Sequence, residues 1–358
     1  MNFIKVVINN ITCFFGKLLD KKSCSDAFQA VTEGRFKSVM IIDTPPTAVG
    51  FEMLKQFETA GLEVFYKDHH FPESTENTTR ADEIRDACKL VSALLGAAAD
   101  IVRRTVAPAC SHIIQKGMAE KLTAPVILAD VGADGLLAAM KAAGVSYTGL
   151  DQDAAILDGP RAEIKMADLT EYGWNFYLAA GSLPPFTDKT YIAEATDLYE
   201  KFVSWVEGEE FAGKSVKGLA VKYLLVLRAT EKLAADQSRI TEITPGLVLV
   251  DTVGAERFDI GVLDATMQQK FPNLVILGTI KDHGPIVKAC GGKQYSFSVV
   301  LSHQGRVDLN RIKPADIESK PENGVIANAP FMSHYSEKVY TETMAGRFKE
   351  LARDFVNK

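Results

Sequence analysis

The sequence predicts an α/β protein, an open and mostly parallel sheet flanked by helices, followed by a second, smaller α/β domain. Three observations predict it. "FKSVMIIDT" (36–44), "LEVFYKDHH" (62–70) and "APVILAD" (124–130) are apolar runs of strand length, as expected of strands buried on both faces. Helical periodicity fills "VGFEMLKQFETAG" (49–61) and "GLLAAMKAAG" (135–144). Each run also carries an aspartate at or near its end (Asp43, Asp68, Asp130), and open α/β sheets bind ligands at the carboxyl ends of their strands.

The bulk properties narrow the function. The chain has 358 residues, 47 % hydrophobic and 24 % charged, a globular composition long enough for two domains. No run approaches the ~20 apolar residues a membrane helix needs. The opening "MNFIKVVINNITCFFGKLLDKK" has no basic segment ahead of its apolar part, so it reads as structure rather than a secretory signal. Five cysteines without a CxxC build neither a disulfide framework nor a zinc spacing, which points to a reducing, cytoplasmic setting. A net charge of −6 offers no broad basic face, so long duplex nucleic acid is not the expected partner.

In chain order, "FIKVVINNITCFFG" (3–16) reads as an N-terminal strand. The run 36–44 is a strand stopped by the Pro45–Pro46 pair, which lacks the amides to continue a ladder. Residues 49–61 form a helix closed by Gly61, and 62–70 a second strand, completing a β-α-β unit. From Thr79 to about Gly117 the pattern is helical, with His112 expected to be a packed or capping residue. A third strand (124–130) and its helix (135–144) follow, then a polar connection, "LDQDAAILDGPRAEI" (150–164), and helices over 172–206. "EGEEFAGKSVKG" (207–218) is polar and glycine-bearing, so it is expected to link a domain at 1–206 to one at 219–358. The cleft between them is the expected site. Beyond the linker "GLVLVDT", "NLVILGTI" and "YSFSVVLS" read as strands.

Asp43, the triplet Asp68-His69-His70 and Asp130 therefore share one sheet edge. Imidazole with carboxylate is the ligand set of Mn²⁺, Fe²⁺ or Zn²⁺, and several carboxylates can bridge two ions that activate water for displacement at phosphorus. Neighbouring strand residues point to opposite faces, so one histidine can bind metal while the other meets substrate or an acid.

With these residues in place, the sequence resembles the DHH phosphoesterases, which include RecJ-like exonucleases, short-oligonucleotide hydrolases, cyclic-dinucleotide phosphodiesterases and manganese-dependent pyrophosphatases. "MIIDTPP" resembles the family's second motif and "KDHH" its third, and the resemblance covers roughly residues 36 to 145. It departs at the first motif, an Asp-x-Asp group expected on the N-terminal strand, where this chain has Asn9 and Asn10; Asp20 and Asp26 nearby have no assigned place. "ADVGADGLLAAMKAAG" (129–144) is open to two readings. Asp130 begins a fourth, Asp-x-Gly motif, or 130–135 is the first motif in permuted order with Gly132 in place of its middle acid.

The resemblance implies a metal-dependent phosphoesterase that cleaves a small nucleotide or a short single-stranded oligonucleotide with metal-activated water. It implies one or two Mn²⁺ (or Mg²⁺ or Co²⁺) ions on Asp43, Asp68, His69, Asp130 and Asp134, with His70 and Asp68 catalytic. In the second domain, "ACGGK" with Gly291, Gly292 and Lys293 can cradle an anion, and His303 and Arg306 lie on the strand similar to the family's substrate-binding one. Arg161 is a further candidate phosphate clamp, since guanidinium grips phosphate bidentately, with a surface ion pair as the alternative. Two other functions stay open: a catalytically degenerate nucleotide- or protein-binding protein, and an anhydride hydrolase of the pyrophosphatase or polyphosphatase kind. No membrane partner is expected, and a homodimer is left open.

Overall fold

The computed structural model describes residues 3–73, 79–159, 164–184 and 188–280, the strand segments 299–302, 325–328 and 332–335, and residue 353. Two compact units divide the chain, Met1–Tyr223 and Leu224–Lys358.

The first unit is an α/β layer structure on a six-stranded sheet of order β1-β2-β6-β3-β4-β5. Its strands are β1 (Ile4–Ile8), β2 (Ile11–Phe15), β3 (Ser38–Ile42), β4 (Glu63–Asp68), β5 (Ala99–Ile101) and β6 (Pro125–Ala129). Only the β1–β2 pair is antiparallel. The single N-terminal strand expected from sequence is thus a hairpin. Asn9 and Asn10 form its two-residue turn at φ +47° and +63°, the left-handed region that asparagine tolerates and that primed turns require.

Alternation along the central strands splits the interior into two cores. Cys13 and Phe15 of β2, Met40 and Ile42 of β3, and Ile127 and Ala129 of β6 face one side. Phe14, Val39, Ile41, Val126 and Leu128 face the other. The first core is covered by α4 (Ala133–Ala142), α5 (Leu150–Leu157), α6 (Glu171–Gly181) and α7 (Tyr191–Val206), the second by α1 (Lys21–Glu33), α2 (Ala48–Thr59) and α3 (Thr79–Leu95). Burial on both faces explains the uninterrupted apolar runs, each fully buried aliphatic contributing about 1.5–3 kcal/mol. Asp20 finds its place as the cap of α1, its carboxylate accepting the Ser23 amide at 2.8 Å.

Four further expectations are corrected in this unit. The helix over 79–117 stops at Leu95. Gly96 turns the chain at φ +52°, and 99–101 pairs in parallel with Tyr66–Asp68 as β5. His112 follows in a 3-10 turn and is exposed, not packed. The connection expected at 150–164 begins as α5, whose first-turn acids Asp151 and Asp153 suit the positive end of a helix. The linker expected at 207–218 is a short turn and then the start of α8 (Glu210–Ala235), which runs through the boundary between the units.

The second unit holds a separate sheet of order β11-β12-β10-β9-β8-β7, formed by β7 (Ile240–Thr244), β8 (Leu247–Asp251), β9 (Ile276–Ile280), β10 (Val299–Ser302), β11 (Val325–Asn328) and β12 (Met332–Tyr335). Among the described strands only β8–β9 is parallel. α9 (Ile260–Lys270) packs Leu263 and Met267 against Val248, Val250 and Leu277. Among the described residues no helix is long and apolar enough to cross a membrane.

Candidate metal centre

The strand order places a ligand crevice before any side chain is considered. After β3 the chain passes to α2 on one face of the sheet, and after the neighbouring β6 to α4 on the other. The carboxyl ends of β3 and β6 therefore open at a topological switch point, the usual ligand position of such sheets.

Asp43 follows β3 with φ +56°, a conformation that costs a non-glycine residue of order 1–3 kcal/mol and tends to persist where function holds it. Its amide donates to the Lys67 carbonyl at 3.0 Å, tying the turn to β4. At the end of β4, Asp68 and His69 are fully buried. At the end of β6, α4 starts so close to the strand that a Cβ on Gly135 would stand 2.3 Å from the Asp130 carbonyl oxygen. Only glycine lets Asp134, in the first turn, come this near the sheet. The Asp134 carboxylate accepts the Cys110 amide at 2.8 Å. Asp158, at the C-terminal cap of α5, closes the group.

These side chains converge on one atom. His69 Nδ1 lies 3.0 Å from the Ala107 carbonyl, which can only accept, so Nδ1 carries a proton and Nε2 is left pointing at the acids. Nε2 is 3.2 Å from Asp43 Oδ1, 3.3 Å from Asp134 Oδ2 and 3.8 Å from Asp158 Oδ2. His69 Nε2, Asp43 Oδ1 and Asp134 Oδ1 are buried and make no hydrogen bond. A proton on Nε2 would serve one carboxylate well and leave the others facing each other. A divalent cation serves them all.

The electrostatics agree. Burial, reinforced by Asp68, Asp130 and Asp158 and opposed by His70, holds the Asp43 carboxyl well above the usual carboxylate range. Burial and Asp43 do the same to Asp134, against the Cys110 amide and His69. Burial also raises Asp130 and Asp158, the latter opposed chiefly by Arg104. Without a cation these acids resist ionising together. Asp43 with His69 and His70, and His69 with Asp134 and Asp158, are two overlapping groups whose ligand atoms lie within 4.8 Å of one another and could hold a metal ion. Both use His69.

His70 stands at the rim. Its amide and Nδ1 donate to the two oxygens of Asp68, at 2.9 and 2.8 Å, so Asp68 is engaged in orienting His70. Burial alone would lower the His70 pKa, but the hydrogen bond and charge of Asp68, with Asp43, outweigh it and raise it. Its Nε2 receives Arg104 Nη2 at 3.0 Å, and the same nitrogen reaches Asp158 at 3.2 Å.

The structure thus brings Asp43, His69 and Asp134 together around one point, with Asp68 and His70 beside it. Asp130 sits at the same sheet edge but outside both groups, its pKa raised by burial against the lowering effect of the Val131 and Gly132 amides. Arg161, Gly291, Gly292, Lys293, His303 and Arg306 lie outside the described residues. Two members were not anticipated. Asp158 belongs to a stretch read as a polar connection, where the Asp-Gly-Pro of "ILDGP" signalled a turn but not a ligand. Arg104 belongs to a stretch read as helix. No protein-family model matches this chain, and no curated protein matches its sequence.

Proposed function

We propose that this protein is a metal-dependent phosphoesterase of the DHH kind, acting on a small nucleotide or short oligonucleotide. The observation that carries the reading is the convergence on the ligand edge of the sheet of His69 Nε2 with Asp43 Oδ1 at 3.2 Å and Asp134 Oδ2 at 3.3 Å, where Nε2, Asp43 Oδ1 and the other Asp134 oxygen are buried and make no hydrogen bond. His69, Asp43, Asp134 and Asp158 would hold the ion. A divalent ion there supplies Lewis acidity, lowering the pKa of water and drawing charge from a phosphoryl oxygen.

The chain's own residues do the rest. The Ala107 carbonyl holds the proton on His69 Nδ1, fixing the tautomer that leaves Nε2 as a ligand. Asp68 holds the proton on His70 Nδ1, so His70 Nε2 is the atom presented at the rim, where it receives Arg104 Nη2. Asp134's place in the cluster supports reading 130–135 as the first motif in permuted order. The β1–β2 hairpin supports the same reading, since its asparagines are turn residues rather than substituted ligands.

The test is hydrolysis of bis(p-nitrophenyl) phosphate and of dinucleotides by Mn²⁺-loaded protein, with His69→Ala alongside. The reading requires activity that His69→Ala abolishes. Activity that survives the substitution refutes it. Cleavage of pyrophosphate with dinucleotides left intact favours the anhydride hydrolase, and metal binding without hydrolysis favours a binding protein.

A further inference from the structure

Phosphate esters are anions, and the candidate centre is built almost wholly of acids. A cationic side chain must meet whatever phosphoryl charge the metal does not. Among the described residues one guanidinium, and no ammonium, touches these carboxylates: Arg104.

Its segment is fixed by the residues that build the centre. The parallel pairing of β5 with β4 continues past the strand ends, with Val102 N donating to Asp68 O at 2.9 Å and Phe71 N to Val102 O at 3.0 Å. Thr105 donates its amide and hydroxyl to Glu73 Oε1 at 3.3 and 2.9 Å. The Arg103 guanidinium lies over the Phe71 ring at 5.5 Å. The Val106 and Ala107 amides close a turn onto Arg103 O, and Ala107 O then receives His69 Nδ1. One short loop therefore sets the His69 tautomer and presents Arg104.

The Arg104 side chain itself is 49 % exposed, against 19 % for Asp158 and complete burial for His69. Both of its polar contacts use Nη2, to His70 Nε2 and to the Asp158 carboxylate, leaving Nε and Nη1 without a partner in the described structure. Nη2 pairs with Nε or with Nη1 to make the two-pronged face that matches two phosphate oxygens, so release of Nη2 from His70 and Asp158 opens the fork to a phosphoryl group. Asp158 has two claims on it, Arg104 and the metal group, so an ion that draws on its carboxylate loosens its hold on the guanidinium.

We propose that Arg104 is the phosphate-binding residue of this site, gripping the non-bridging oxygens of the phosphoryl group and handed over to substrate from Asp158 and His70. This rests on the metal-centre reading above. The alternative is an ordinary surface ion pair with Asp158, which would contribute little.

The two are separated by Arg104→Gln and Arg104→Lys in the full-length protein. Mn²⁺ affinity is measured by calorimetry, binding of radiolabelled inorganic phosphate to the Mn²⁺-loaded protein by equilibrium dialysis, and kcat and KM on p-nitrophenyl phosphate. Arg104→Gln should keep Mn²⁺ binding at least as tight as the native chain, while phosphate binding weakens about ten-fold or more and KM rises by a similar factor. Arg104→Lys should recover part of both, as a point charge without the fork. Phosphate affinity within about two-fold of native in a Mn²⁺-binding Arg104→Gln protein would overturn the proposal. Loss of Mn²⁺ binding in that variant would overturn it too, since Arg104 would then be supporting the fold of the centre. A native chain that binds no Mn²⁺ would overturn the metal reading itself, and the proposal with it.

Discussion

Asp134→Asn should make the metal-free protein more stable and the metal-loaded protein less so. In the native chain Asp134 Oδ2 accepts the Cys110 amide at 2.8 Å, a bond the asparagine carbonyl can keep. The same oxygen lies 3.3 Å from His69 Nε2; the other, Oδ1, is buried without a partner, and the Asp43 carboxylate pushes the group's pKa up. Replacing Oδ1 with a neutral NH2 removes a buried ionisable group that makes no hydrogen bond through this oxygen and that burial and Asp43 keep from ionising, a defect that costs about 1–3 kcal/mol in typical proteins. For a cooperative unit of this size about 1 kcal/mol is 2–4 °C in Tm. A rise of several degrees is therefore expected with a chelator present. The sign reverses with metal. At about 100 times Kd an ion stabilises the native protein by about 2.7 kcal/mol, and a variant that offers it a neutral amide oxygen in place of a carboxylate forfeits much of that. Differential scanning fluorimetry of both proteins in EDTA and in excess Mn²⁺ gives the four Tm values. If Asp134→Asn lowers Tm equally in both conditions, Asp134 is a structural residue and the argument from the unpartnered oxygen fails.

Two further outcomes follow from the same geometry. Asp43 and Asp134 have pKa values well above the ordinary 3.8, so the folded chain holds protons there that the unfolded chain has lost. Stability of the chelated protein should fall as pH rises out of that window, and the raised pKa of His70 acts in the same direction. Tm in EDTA should thus be higher at about pH 5.5 than at about pH 8, with Mn²⁺ shrinking or reversing the difference; an EDTA Tm that climbs with pH would contradict the shifts. Asp68→Asn should lower kcat while leaving Mn²⁺ affinity within about three-fold, because both Asp68 oxygens serve His70 and neither reaches His69 Nε2. A collapse of Mn²⁺ binding in that variant would place Asp68 among the ligands instead.

What could be read in the chain follows from where its information is local. β3, β4 and β6 are legible because burial on both faces leaves uninterrupted apolar runs, and the aspartates at or just after their ends then fall on one edge by topology. The triplet is legible because its three residues are adjacent. β5 is not, since "AAADI" has the composition of a helix and becomes a strand only by pairing with Tyr66–Asp68. The same non-local pairing carries Arg104 to His70, which nothing in "IVRRT" announces. Asp158 is reached through α5, whose apolar side is narrow, with Leu150 and Ala154 as its buried hydrophobic residues. The hairpin was hidden by Asn9 and Asn10, ordinary polar residues whose turn geometry appears only once β1 and β2 face each other.

The central claim is that a divalent ion belongs at His69 Nε2, among Asp43, Asp134 and Asp158. Anomalous scattering from crystals grown with Mn²⁺ tests it most directly. The account predicts that the strongest peak lies within bonding distance of His69 Nε2 with carboxylate oxygens of these aspartates around it. A strongest peak elsewhere, or none in the first unit while His69 Nε2 stays unliganded, would contradict it.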